Sequence, residues 1–166
     1  MHCPKHLEKY VKDYSEKKGY ENVTSKFYLS NLKDEKFSLK FIGNLEKNNL
    51  FGFSLKPDDN DHLSIIAIKN NLELLLFDNT KNGYSNCFEN SNLSDFNTEE
   101  YCEFHCLKCS GNSFSISLFY EYIDENILRE EEIELPDYSN SFQWIRVSAK
   151  CCSCGKEYKN IIDYED

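Results

Sequence analysis

The sequence predicts an α+β fold, mostly β: an N-terminal helix on an antiparallel sheet, with a cysteine-bearing C-terminal part. Three observations carry this. Only two alanines, Ala67 and Ala149, occur in 166 residues, against 12 Phe and 11 Tyr. Alanine is the best helix former and aromatics favour pleated surfaces, so the composition leans towards strands. Apolar residues recur at helical spacing near the N-terminus and at every second position from Lys26 onward.

Leu7, Tyr10, Val11 and Tyr14 fall at i, i+3, i+4 and i+7, one face of a helix over 4–18. Pro4 suits its first turn and Gly19 the position past its end. Phe37, Leu39 and Phe41 then alternate with polar residues, as do Phe51, Phe53 and Leu55. The polar stretch around 46–49 reads as the loop of a hairpin between them. Leu63 to Ile68 and Leu72 to Phe77 are apolar runs joined by Lys69-Asn70-Asn71, a second hairpin buried near the middle of a sheet. Asn82-Gly83 offers a tight turn into a short strand at 84–88. The polar, acidic stretch 89–101 marks a boundary, with a short helix expected over 98–104. Phe114, Ile116, Leu118, Tyr120 and Tyr122 then share one face, with Ser113, Ser115 and Ser117 opposite. Ile127 to Leu135 reads as a weaker strand, Gln143 to Lys150 and Tyr158 to Tyr164 as two more. Residues 1–101 and 102–166 are therefore expected as two parts packed into one unit.

Nineteen basic against 29 acidic side chains leave a net charge of −10. Nucleic-acid and anionic-membrane binding draw on Lys and Arg, so this balance disfavours both, whereas a basic protein partner is attracted. No run approaches the length of a membrane-spanning helix and no secretory signal opens the chain, which points to the cytoplasm. Eight cysteines without an export signal read as metal ligands or buried thiols rather than a disulfide framework.

The most specific pattern is Cys106-Leu107-Lys108-Cys109 followed by Cys151-Cys152-Ser153-Cys154. Two residues between cysteines let both sulfurs converge on one ion from a tight turn, a knuckle. Two knuckles supply the four thiolates that Zn²⁺ prefers in structural sites. Gly111 and Gly155 follow the pairs, and such turns often need a positive backbone angle. On these residues the stretch 102–166 resembles the zinc-ribbon group of domains, which place two knuckles at the ends of antiparallel strands. The resemblance implies a structural Zn²⁺ on Cys106, Cys109, Cys151 and Cys154. The spacer departs from it: 41 residues separate Cys109 from Cys151, roughly twice the usual distance. Cys152 and His105 are competing ligands.

Other groupings are weaker. His2, Cys3 and His6, with Cys102 or His105, form a candidate second metal site. Asp58, Asp59 and Asp61 lack the glycine and distal glutamate of a calcium loop and read as a turn. His62 reads as a surface or capping residue and Cys87 as a small buried hydrophobe. Glu130, Glu131 and Glu132 read as a solvated strand edge or an acidic docking face. Trp144, Tyr120, Tyr122, Tyr158 and Tyr164 read as core rather than base-stacking rings. No phosphate-cradling glycine loop, Gly-x-Ser-x-Gly or HExxH is present. The expected function is a non-catalytic acidic protein-binding module with a structural zinc, in concrete form an immunity protein or antitoxin-like inhibitor of a basic toxin. It would contact its partner through Glu130, Glu131 and Glu132. The alternative, a zinc-ribbon accessory of nucleic-acid machinery, requires a local positive patch, expected around Lys150, Lys156 and Lys159.

Overall fold

The computed structural model describes residues 1–31, 34–48, 52–87 and 100–166. A 3-10 helix, Lys5–Tyr10, leads into strands β1 (Val11–Lys18), β2 (Asn22–Leu29), β3 (Ser38–Ile42), β4 (Asn44–Asn48), β5 (Gly52–Lys56), β6 (Ser64–Lys69) and β7 (Leu72–Asp78). There follow β8 (Cys102–Glu103), β9 (Phe114–Ile123), a short helix α1 (Glu125–Glu130), a further 3-10 turn (Tyr138–Asn140), β10 (Trp144–Cys151) and β11 (Glu157–Glu165). The strands form a five-stranded sheet in the order β1-β2-β9-β10-β11, a four-stranded sheet β7-β6-β3-β8 and the hairpin β4-β5.

The inner faces of the two larger sheets share one core. Phe27 and Leu29, the alternating Phe114 to Tyr122 of β9, and Ile145, Val147 and Ala149 meet Leu39, Ile65, Ala67, Leu74 and Leu76. This is the burial pattern of two sheets packed face to face. A bridge between Phe37, just before β3, and Phe114, the first residue of β9, joins the two sheets. The fully buried Tyr120 donates its hydroxyl to the Leu76 carbonyl across the core (3.1 Å) and stacks on Phe27. In β6 the faces divide: Ile65 and Ala67 enter this core, while Ile66 and Ile68 pack with Leu75 and Tyr101 on the far side. Burial on both faces explains the unbroken apolar run at 65–68.

The structure overturns the α+β expectation: no N-terminal helix lies on a sheet. Residues 11–18 are a strand paired antiparallel with β2. The register slips between Lys12 and Ser15, where Asp13 has φ +53°. This bulge adds a residue, so Val11 and Tyr14 both face the core although three positions separate them. A bulged strand thus reproduces a helical spacing. Pairing with β2 supplies the backbone bonds that a short isolated helix would provide only marginally. Gly19 marks the β1–β2 turn, its N–H bonding the Asn22 carbonyl at 2.8 Å.

Other elements also differ from expectation. β3 pairs with β6 and β8, while 46–48 belong to β4, which pairs with β5. Residues 84–87 form turns, with the Gly83 and Tyr84 N–H groups bonded to the Asn140 and Phe142 carbonyls. Residues 102–103 are a strand against β3. The expected boundary and short helix otherwise fall on 88–99, outside the described residues. Glu130 ends α1 and Glu131 and Glu132 continue into a turn, so the acidic triplet is no strand edge. The Asp124 carboxylate caps α1 by accepting from the Asn126 N–H. The β6–β7 hairpin and β9, β10 and β11 lie at the expected places in the chain, although β7 is the outer strand of its sheet rather than near the middle, and β9 sits between β2 and β10. The C-terminal strands therefore complete the same sheet as the N-terminal pair.

Candidate metal centre

The β9–β10 ladder assembles the two knuckles. Phe114 opposes Cys151 at one end of the ladder and Glu121 opposes Trp144 at the other. The first knuckle directly precedes β9 and the second directly follows β10. They therefore meet at the open base of the hairpin, however long the connection carrying α1 becomes. This accommodates the wide spacer.

The knuckles share a backbone pattern. The Cys106 N–H donates to the Gly111 carbonyl (2.7 Å) and the Ser110 N–H to the Cys106 carbonyl (2.7 Å). Correspondingly, the Cys151 N–H donates to the Lys156 carbonyl (2.9 Å) and the Gly155 N–H to the Cys151 carbonyl (2.9 Å). The fourth residue after each first cysteine is left-handed: Ser110 at φ +61° and Gly155 at φ +74°. The glycine expectation is met at Gly155, whereas in the first knuckle Ser110 carries the positive angle. Gly111 serves a different need. A Cβ there would sit 3.1 Å from Ser153 Oγ and 3.2 Å from Cys109 Sγ, so the absent side chain lets the knuckles close. A Cβ at Gly155 meets nothing within 4 Å. Gly155→Ala is therefore expected to cost only the left-handed strain, about 1 kcal/mol, in urea denaturation.

The Sγ atoms of Cys106, Cys109, Cys151 and Cys154 all lie within 4.8 Å of one another. Cys106 to Cys154 and Cys109 to Cys151 are each 3.5 Å, far longer than a disulfide. An ion about 2.3 Å from four sulfurs in a tetrahedron spaces them about 3.8 Å apart, so the cluster can hold a metal ion. Among the described residues it is the one grouping of His, Cys, Asp and Glu with this geometry.

Burial opposes ionisation of Cys106, but the Tyr158 hydroxyl and the backbone amides of Cys109 and Lys108 outweigh it and bring its thiol down to about 6. At Cys151 the Cys154 amide likewise prevails over burial and pulls the thiol down. The Gly111 amide favours a thiolate at Cys109, yet the surrounding sulfurs, Cys151 foremost, push that thiol up. Crowded sulfurs cannot all carry charge without a cation among them.

Tyr158, which the sequence places in the core, has a further role. Its buried hydroxyl accepts the Leu107 N–H (2.8 Å) and lies 3.2 Å from Cys106 Sγ, donating to it. The signal available in the sequence was that a buried tyrosine hydroxyl needs partners, four residues after Cys154. Tyr158→Phe is expected to keep the fold and weaken metal binding roughly 10-fold or more, read by competition with a chromophoric chelator.

The competing ligands stay outside. Cys152 and Cys102 are exposed, and His105 lies 3.5 Å from Glu103. The candidate N-terminal site does not assemble among the described residues. His2 Nδ1 pairs with Glu16 (2.7 Å), Cys3 is buried in the core, and His6 Nε2 donates to the Leu75 carbonyl (2.7 Å). Cys87 is buried. Asp58 closes a turn by accepting from the Asn60 and His62 N–H groups, and His62 pairs with the buried Asp78. Glu130, Glu131 and Glu132 are exposed. Tyr120, Tyr122 and Tyr158 are buried; Tyr164 and Trp144 are half-buried. Among the described residues no helix is long and apolar enough to cross a membrane.

Fold and site together define a pair of packed antiparallel sheets carrying a four-cysteine centre. Comparison with protein-family models, curated proteins and solved structures finds no match to this chain.

Proposed function

We propose that the chain is a non-catalytic binding module whose two knuckles are fastened by a structural Zn²⁺, in the manner of a zinc ribbon. The observation that carries this is the closed set of four sulfurs. Soft thiolates in a tetrahedron suit zinc, and four protein ligands leave no position for a reacting water. Reduced cysteines throughout fit a cytoplasmic setting.

The partner we favour is a basic protein, as for an immunity protein or antitoxin-like inhibitor that covers a toxin's cationic surface. A net charge of −10 supports it by steering such a partner inward, and Glu130, Glu131 and Glu132 offer exposed carboxylates at the end of α1. Affinity capture from the source cell tests this. A basic protein is expected to co-purify and to be lost when the three glutamates are changed to lysine. Capture of none would end the reading.

A second reading, an accessory of nucleic-acid machinery, is favoured by one observation. A lysine-bordered trough lies on the outer face of the five-stranded sheet.

A further inference from the structure

The outer face of the five-stranded sheet has a defined relief. Register places Lys12, Tyr28, Ser117 and Ser148 in one row across β1, β2, β9 and β10. Ser115 and Lys150 form the adjoining row. The serines are the outward partners of the buried Phe114, Ile116 and Leu118, so β9 turns its smallest side chains to solvent. Longer neighbours stand on both sides. The result is a trough of about 400 Å³, floored by serines and bordered by Lys26, Lys150 and Lys159. Two of the three lysines expected as a positive patch are thus here, joined by Lys26 from a distant part of the chain.

Within the lining Ser148 and Asn160 bond each other and the Tyr158 hydroxyl serves Cys106, but the remaining groups stand open. Lys26, Lys150 and Lys159 have no ion-pair partner among the described residues, and the Ser115 and Ser117 hydroxyls make no hydrogen bond there. Glu157 is the carboxylate in the lining. On the rim Tyr28 is 41 % exposed, large for an aromatic, and its ring has no aromatic partner among the described residues. Further along this face the cations and rings are paired with one another. The Arg146 guanidinium lies 3.9 Å from the Trp144 ring centre and 5.1 Å from that of Phe119, with Asp163 beside it.

We propose that this trough binds single-stranded nucleic acid, with phosphates on Lys26, Lys150 and Lys159 and a base on Tyr28; this rests on the second reading above. Unpaired cations, free hydroxyl donors and an open ring face are what an unpaired strand offers contacts for. A duplex keeps its base faces stacked inside and leaves Tyr28 without use. The overall negative charge acts at long range and is screened beyond about 10 Å at 0.1 M salt, so local contacts decide.

The test is fluorescence anisotropy of the zinc-loaded full chain with a short fluorescein-labelled deoxythymidine oligomer, titrated from about 0.1 M salt downward. Binding is expected, with log K falling against log salt at a slope of about −2 for three phosphates. Lys26→Glu with Lys159→Glu is expected to weaken it about 10-fold or more, and Tyr28→Ala about 5-fold or more. Glu157→Gln is expected to strengthen it. Lys9→Glu, an exposed change outside the trough, is expected to leave it within about twofold. These side chains are largely outside the core, and an unchanged melting temperature verifies each fold. No binding at low salt overturns both the trough and the second reading. Binding that survives the double lysine change overturns the trough while leaving that reading in place. Preference for duplex, or equal competition by polyglutamate, overturns the single-strand assignment.

Discussion

Stripping the metal, or exchanging Cys109 for serine, is expected to destabilise the protein by about 4 kcal/mol or more. The figure follows from linkage: an ion about a thousandfold above its Kd stabilises by roughly that amount. Structural zinc in small fingers carries an apparent ~10–16 kcal/mol, but here the β9–β10 ladder and the ring of Phe104 packed on Phe114 and Tyr158 also hold the base of the hairpin. Cys109 is the informative position because its side chain is exposed, so serine removes a ligand without opening the core. Cys152→Ser is the matched control, one residue from a ligand yet outside the cluster. Native mass spectrometry is expected to give one zinc for the parent and for Cys152→Ser, and none for Cys109→Ser. Thermal melting with and without a strong chelator reads the energy. A parent chain that purifies metal-free and melts identically with chelator would remove the centre from the account.

Tyr120→Ala is expected to cost about 3–5 kcal/mol, the range for deleting a large buried ring. Tyr120 is fully buried between the two sheets, against Phe27 and Phe142, and reaches Leu76 on the opposite sheet. Tyr120→Phe retains the ring and drops only the hydroxyl, with an expected cost of about 1 kcal/mol. Urea denaturation of both separates packing from the hydrogen bond. For a domain whose whole stability is about 5–15 kcal/mol, the alanine change removes a large share. Equal losses in the two variants would show that the hydroxyl, not the ring, joins the sheets.

The four ligands were legible because their chemistry is local. A Cys-x-x-Cys turn brings its two sulfurs together whatever the remainder of the chain does, and the alternating Phe114 to Tyr122 announces the strand that follows. The 65–68 run was equally plain, since a strand buried on both faces needs apolar residues at every position. What could not be read was anything produced by a departure from regular period. The bulge at Asp13 shifts the phase of β1 by one residue, which makes a strand mimic a helix. The Glu-rich segment at 130–132 shows the converse. The helix it ends, Glu125–Glu130, depends on the Asp124 cap and on the burial of Leu128.

By itself, then, the sequence determined which residues alternate, which thiols pair locally and how the charge balances, because these depend on neighbours within a few positions. Tertiary structure alone decided that Cys106–Cys109 meets Cys151–Cys154, that Tyr158 serves a sulfur, and that Lys26 joins Lys150 and Lys159 around one trough. Those contacts arise from strand register, and register is set by burying two whole sheet faces against each other rather than by any short stretch of chain.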